Sequence, residues 1–155
     1  MKRIAFSAFL SSLFAAALSF AASPAQAPLR VGIVGLVHGH VHGFLDQSRH
    51  SSEIEIVGVA EPDAQLLSQA ATRYGFDRAQ LFADLEEMQA NVQPQAVLVY
   101  TNTFDHRRVV EICARHGVSV MMEKPLAVSL EDALAIEKAA RAGKIEVLVN
   151  YDSSG

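Results

Sequence analysis

The stretch Leu29–Phe44, LRVGIVGLVHGHVHGF, constrains this chain more than any other. A short apolar run stops at glycine and histidine and then turns amphipathic, as a buried parallel strand does when it feeds a tight turn and opens a helix. Such a unit needs further parallel strands and crossover helices to bury it, and its turn is a candidate nucleotide site.

The rest of the chain supplies them. Strands are predicted at Leu29–Val34, Ile54–Ala60, Leu81–Phe82, Ala96–Tyr100, Val118–Met122 and Ile145–Val149. Helices are predicted between them at about Gly39–Arg49, Asp63–Tyr74 ending at Gly75, Asp84–Ala90, Phe104–His116 closed by Gly117, and from Ser129 to near Gly143. Ser129 with Asp132 reads as a capping box with Asp in place of Glu or Gln. The fold class is therefore α/β, a doubly wound, mostly parallel sheet of about six strands with helices on both faces, the Rossmann arrangement.

Composition narrows the function. The 155 residues are 50% hydrophobic with 9 Gly and 5 Pro, which suits one globular domain. Net charge is −4 and the 13 Lys and Arg are scattered, so no nucleic-acid partner is expected. The single Cys113, in VVEICARHG, reads as a small buried residue.

Residues 1–27 differ in kind: Lys2-Arg3, an Ala-rich apolar run from Ile4 to Ala22, then small residues. This reads as a signal peptide cut after Ala25 or Ala27, with export to the periplasm or beyond. An uncleaved membrane anchor is the alternative. The run is weakly hydrophobic, so no stable anchor is expected.

Four places carry chemistry. Gly35 allows the sharp bend and close backbone approach that a pyrophosphate demands. In the G-x-G-x-x-G register Val37 and His40 stand where glycines are expected, and Gly39 offers the approach in a shifted register. Glu61, at the tip of the second strand, suits the acid that accepts hydrogen bonds from an adenosine ribose and repels a 2′-phosphate, favouring NAD over NADP; otherwise it is a solvated strand end. His38, His40 and His42 read as phosphate or substrate contacts or as surface residues. On a helix only His38 and His42 would share a face, so no metal is expected. Finally, Thr101-Asn102-Thr103 and Glu123-Lys124-Pro125 end the fourth and fifth strands, the edge where open α/β sheets bind ligands. There Lys124 either polarises a substrate oxygen or is a surface lysine paired with Glu123.

VGIVGLVHGH, VAEPD, AVLVYTNTFDH, VMMEKPLA and LVNY follow one another in an order and spacing that resemble the Gfo/Idh/MocA oxidoreductases over about Leu29–Tyr151. The resemblance implies an NAD(P)-binding Rossmann domain over 28–151. In it Gly35, Leu36, Val37, His38, Gly39 and His40 cradle the pyrophosphate and Glu61 holds the ribose. Thr101, Asn102, Thr103 and His106 line the nicotinamide side, Glu123 and Pro125 shape the cleft, and Lys124 matches the catalytic lysine. It further implies hydride transfer between NAD and a secondary alcohol of a sugar or polyol, homo-oligomers, and a second, substrate-binding domain. Residues 152–155 would be the start of that domain, so the chain as it stands is expected to bind dinucleotide better than it catalyses. The alternatives are an NAD-dependent glycoside hydrolase-type relative and a non-catalytic nucleotide-binding fragment.

Overall fold

A computed structural model describes residues 27–151. The expected export signal, except for Ala27, and residues 152–155 lie outside the described residues.

Six strands form one sheet, all parallel, in the order β3-β2-β1-β4-β5-β6. They are β1 (Leu29–Val34), β2 (Ile54–Ala60), β3 (Leu81–Phe82), β4 (Ala96–Val99), β5 (Ser119–Glu123) and β6 (Val147–Asn150). Five α-helices connect them: α1 (His40–Ser48), α2 (Ala64–Tyr74), α3 (Leu85–Val92), α4 (His106–His116) and α5 (Leu130–Gly143). The strand order reverses between β1 and β4, and a crevice at such a switch point is where open α/β sheets take ligands.

Alternation along β1 explains the two layers. Val31 and Ile33 pack with Val41 and Leu45 of α1 and Leu67, Ala70 and Tyr74 of α2. Val34 turns to the other face, joining Val97, Val99, Val120 and Met122 against Met88 of α3, Val109, Val110, Ile112 and Cys113 of α4 and Ile136 of α5. Cys113 is fully buried there, and burial with little compensation pushes its thiol up to about 12, so it packs as an inert apolar group.

The helices begin where short polar side chains catch free amides. Asp63 accepts from Gln65 and Leu66, Asp84 from Glu87, and Ser129 from Asp132. Ser129 Oγ also donates to Asp132 Oδ2 at 2.7 Å, so this pair closes side chain to side chain rather than by a reciprocal backbone bond.

Two strands start later than their apolar runs predict. The amide of Val118 donates to Cys113 O and that of Ile145 to Ala140 O, so both are spent closing α4 and α5. Pairing consequently shifts along the chain, which brings Glu123 into β5 and sets Asn150 of β6 beside it.

α4 and α5 pack closely through Gly143, where a Cβ would lie 2.5 Å from Ala114 O and 2.7 Å from its Cα. Helix propensity favours alanine over glycine by about 1 kcal/mol, but overpacking against immovable backbone costs about 1–3 kcal/mol. Gly143→Ala should therefore lower stability by up to about 2 kcal/mol in urea unfolding, and a stabilised variant would show that this contact is not tight.

Candidate functional site

The turn after β1 lies across the ends of three strands. The Gly35 amide donates to Ala60 O of β2 at 2.9 Å, and the His38 amide to Tyr100 O, just past β4, at 3.0 Å. Gly35 sits at φ +82°, and a Cβ there would fall 2.7 Å from the Thr101 amide nitrogen. Both conformation and space require glycine. At Gly39 a Cβ would meet nothing within 4 Å, so the protein's own packing does not demand glycine there; that position, like exposed Val37, faces open space.

Glu61 is no solvated strand end, being 3% exposed. Its Oε2 accepts the Leu36 amide at 2.8 Å and its Oε1 the Asp63 amide at 2.9 Å. The carboxylate thus pins the turn to the end of β2, and each oxygen keeps a lone pair for a further donor. Leu36 itself contributes this amide and a side chain buried among α1 and α2, not an exposed contact.

Between these groups opens a cavity of about 260 Å³. Gly35, Val37, Glu61, Thr101 and Asn102, all expected at the site, line it together with Asp84 and Arg108. The last two were not legible in the chain, since nothing in the periodicity of α3 and α4 marks which end faces a ligand.

On the other side of the turn His38 and His40 converge on Glu123. Their ligating atoms lie within 4.8 Å of one another, with His40 Nδ1 3.0 Å from Oε1 and His38 Nε2 4.0 Å from Oε2. This corrects the expectation that His38 and His42 share a face: His38 precedes the helix, and His42 instead bonds Tyr74 Oη at 2.8 Å. Asn150 Nδ2 donates to Glu123 Oε1 at 3.1 Å. Burial alone would push the Glu123 carboxyl up, but the hydrogen bonds from Asn150 and His40 and the two imidazoles hold it below the usual range. Its Oε2 is buried without a partner. The same burial, with Glu123 nearby, pushes the Tyr100 phenol up to about 12.

Because Glu123 turns to His40 and Asn150, the alternative pairing of Glu123 with Lys124 is not formed. Among the described residues no carboxylate lies within ion-pair distance of exposed Lys124. Lys124–Pro125 is a cis peptide. Asn102 accepts the Phe104 amide and donates to Asp105, which shapes the turn through Thr103.

His106, which the resemblance sets on the nicotinamide side, is buried. It is 1% exposed, and Nδ1 reaches Leu126 O at 3.2 Å, which ties α4 to the segment after Pro125. Its position at the first turn of an amphipathic helix put it on the core-facing side.

The sequence model of the oxidoreductase family with an NAD-binding Rossmann fold, GFO_IDH_MocA, matches residues 29–151. Inositol 2-dehydrogenase of Burkholderia cenocepacia (strain HI2424) is 34% identical over 127 residues, 79% of this chain and 36% of that protein. D-apiose dehydrogenase of Paraburkholderia graminis is 30% identical over 111 residues, 72% of this chain and 28% of that protein. The chain thus spans about a third of the length of the curated relatives it matches. Among solved structures, the WlbA dehydrogenase of Chromobacterium violaceum in complex with NADH and UDP-GlcNAcA superposes with a TM-score of 0.73 at 28% identity, covering 81% of this chain and 36% of that one.

Two outcomes follow from the geometry. Gly35→Ala forces a side chain into a left-handed conformation against backbone, so it should cost more than about 2 kcal/mol in chemical unfolding. His106 tests the buried imidazole: burial lowers its pKa below the ordinary 6.5, against the pull of the Leu126 and Pro125 carbonyls and of Asp105 and Glu123. The unfolded chain then binds a proton that the fold refuses, so this residue's stability is present above pH 6.5 and is lost as pH falls toward the lowered folded value. Urea midpoints should drop between pH 7.5 and 5.5 in the native chain and drop less in His106→Gln; equal drops would count against this assignment.

Proposed function

Since the chain belongs to the Gfo/Idh/MocA oxidoreductase family, with an NAD-binding Rossmann domain over residues 29–151, we propose that it holds NAD along the carboxyl edge of its sheet. The adenosine ribose lies in the cavity at Glu61, the pyrophosphate over Gly35–His40, and the nicotinamide toward Thr101–Thr103 and Glu123-Lys124-Pro125. The observation that carries this reading is the meeting of Gly35, Glu61 and Thr101 around one cavity at the switch point between β1 and β4. The residues fit the group: Gly35 leaves backbone bare, and Glu61 keeps free lone pairs for ribose hydroxyls.

When bound, NAD supplies the hydride acceptor, and the chain's own residues do the rest. Glu61 binds the sugar and its charge disfavours a 2′-phosphate. Lys124, exposed and unengaged by a carboxylate of the described residues, offers an ammonium to hold or protonate a substrate oxygen. Tyr100, with its phenol held near 12, keeps its proton and does not compete as a base.

For the whole protein the proposed reaction is hydride transfer between a sugar or polyol secondary alcohol and the nicotinamide. Relatives named as inositol 2-dehydrogenase and D-apiose dehydrogenase support it. Export through residues 1–27 belongs to the same proposal, supported by Lys2-Arg3 and the apolar run that follows.

Calorimetric titration of the purified chain with NAD should give one site, and NAD at 100 times its Kd should add about 2.7 kcal/mol to unfolding stability. Glu61→Gln should bind NAD at least about tenfold more weakly and narrow the preference over NADP, as expected for loss of a charged acceptor. A titration with no binding heat, together with no stabilisation by NAD or NADP, would overturn the proposal.

A further inference from the structure

We propose that His38, His40 and Glu123 form a binding site for one divalent transition-metal ion of the zinc class. The donor set is two imidazole nitrogens and one carboxylate, which suits zinc and its first-row neighbours rather than magnesium or calcium. Bonds of about 2.0–2.2 Å at tetrahedral angles place ligand atoms about 3.3–3.6 Å apart. One ligand atom from each of the three residues already lies within 4.8 Å of the others, so side-chain rotations of about an ångström close the set around an ion.

A second observation points to a cation independently of the cluster. Glu123 is 2% exposed, and its Oε2 has no hydrogen-bond partner. A buried, unpaired carboxylate oxygen is costly, and His38 Nε2 at 4.0 Å is too far to satisfy it. A dication between them would. Asn150, donating to Oε1, already holds the carboxylate in place, the role that outer partners play around metal ligands.

The site is also reachable. The side chains of His38 and His40 are 28% and 52% exposed, so a metal held by three protein ligands keeps a position open to solvent. In the resting arrangement Glu123 can only accept, so His40 carries its proton on Nδ1. His38 takes a long 3.4 Å contact from the His40 amide on its own Nδ1. Metal binding through Nδ1 therefore requires the His40 proton to move to Nε2, and His38 must release that weak contact as its Nε2 turns to the ion. The cluster lies on the β5 side of the turn, apart from the cavity at Glu61, so the ion leaves the ribose end of the nucleotide site free while standing beside its pyrophosphate and nicotinamide stretch.

The test uses the purified chain without an affinity tag, titrated with Co²⁺ and read by visible ligand-field absorption, with Zn²⁺ competing in calorimetry. One Co²⁺ per chain with a displaceable visible band is expected. His40→Gln and Glu123→Gln should each weaken Co²⁺ binding at least tenfold, while His42→Gln leaves it unchanged. Circular dichroism of each variant separates lost binding from lost fold, and His38→Gln, at an exposed position, provides a third variant if Glu123→Gln unfolds. No Co²⁺ band on the folded chain would overturn the proposal, as would loss of binding in His42→Gln equal to that in His40→Gln. The titration needs no NAD, so its failure leaves the nucleotide reading standing, and the reverse holds as well.

Discussion

The contact of Gly35 with Thr101 governs this molecule. Parallel strands joined by crossover helices bring their carboxyl ends to one edge, but only a residue without Cβ lets the chain leaving β1 fold down over the start of the loop after β4. Once that turn is seated, its amides fall in line with Ala60, Glu61 and Tyr100. Two of the site's three arms are thereby joined before any ligand arrives.

The edge also concentrates negative charge in a place where burial penalises it. Glu61 and Glu123 are 3% and 2% exposed, and they resolve the problem differently. Glu61 is met by two backbone amides, a neutral solution that fixes geometry and leaves the charge to act outward. Glu123 is met on one oxygen by side chains, His40 and Asn150, and its other oxygen remains unmet. The first arrangement is finished within the fold and the second is not.

Much of the fold was legible because strong local signals agreed. Apolar runs of four to seven residues marked every strand but the two-residue β3, and Asp63, Asp84, Ser129, Gly75 and Gly117 stand at helix ends as their chemistry suggests. Strand starts at Val118 and Ile145 were misplaced because hydrophobicity does not reveal that an amide is already used to close a helix. At the site, Gly35, Glu61, Thr101 and Asn102 were readable from their positions at strand ends. The partnership of His38 and His40 with Glu123 was not, since it spans more than eighty residues and depends on where a helix begins within a run of alternating histidines. The burial of His106 was not legible either: a motif gives position along the chain, while burial is set by the neighbouring layers.

The positions of the tyrosines give the molecule an optical character of its own. The chain contains no tryptophan and three tyrosines, so its near-ultraviolet emission comes from very few rings. Tyr74 lies under the guanidinium groups of Arg49 and Arg73 and is bonded to His42, while Tyr100 sits beneath the turn at the switch point, close enough to Glu123 to feel its charge. The third, Tyr151, is exposed at the end of the sheet. The two buried rings therefore sit in unlike surroundings, one on α2 bonded to His42 and flanked by two guanidinium groups, the other near the Glu123 carboxylate.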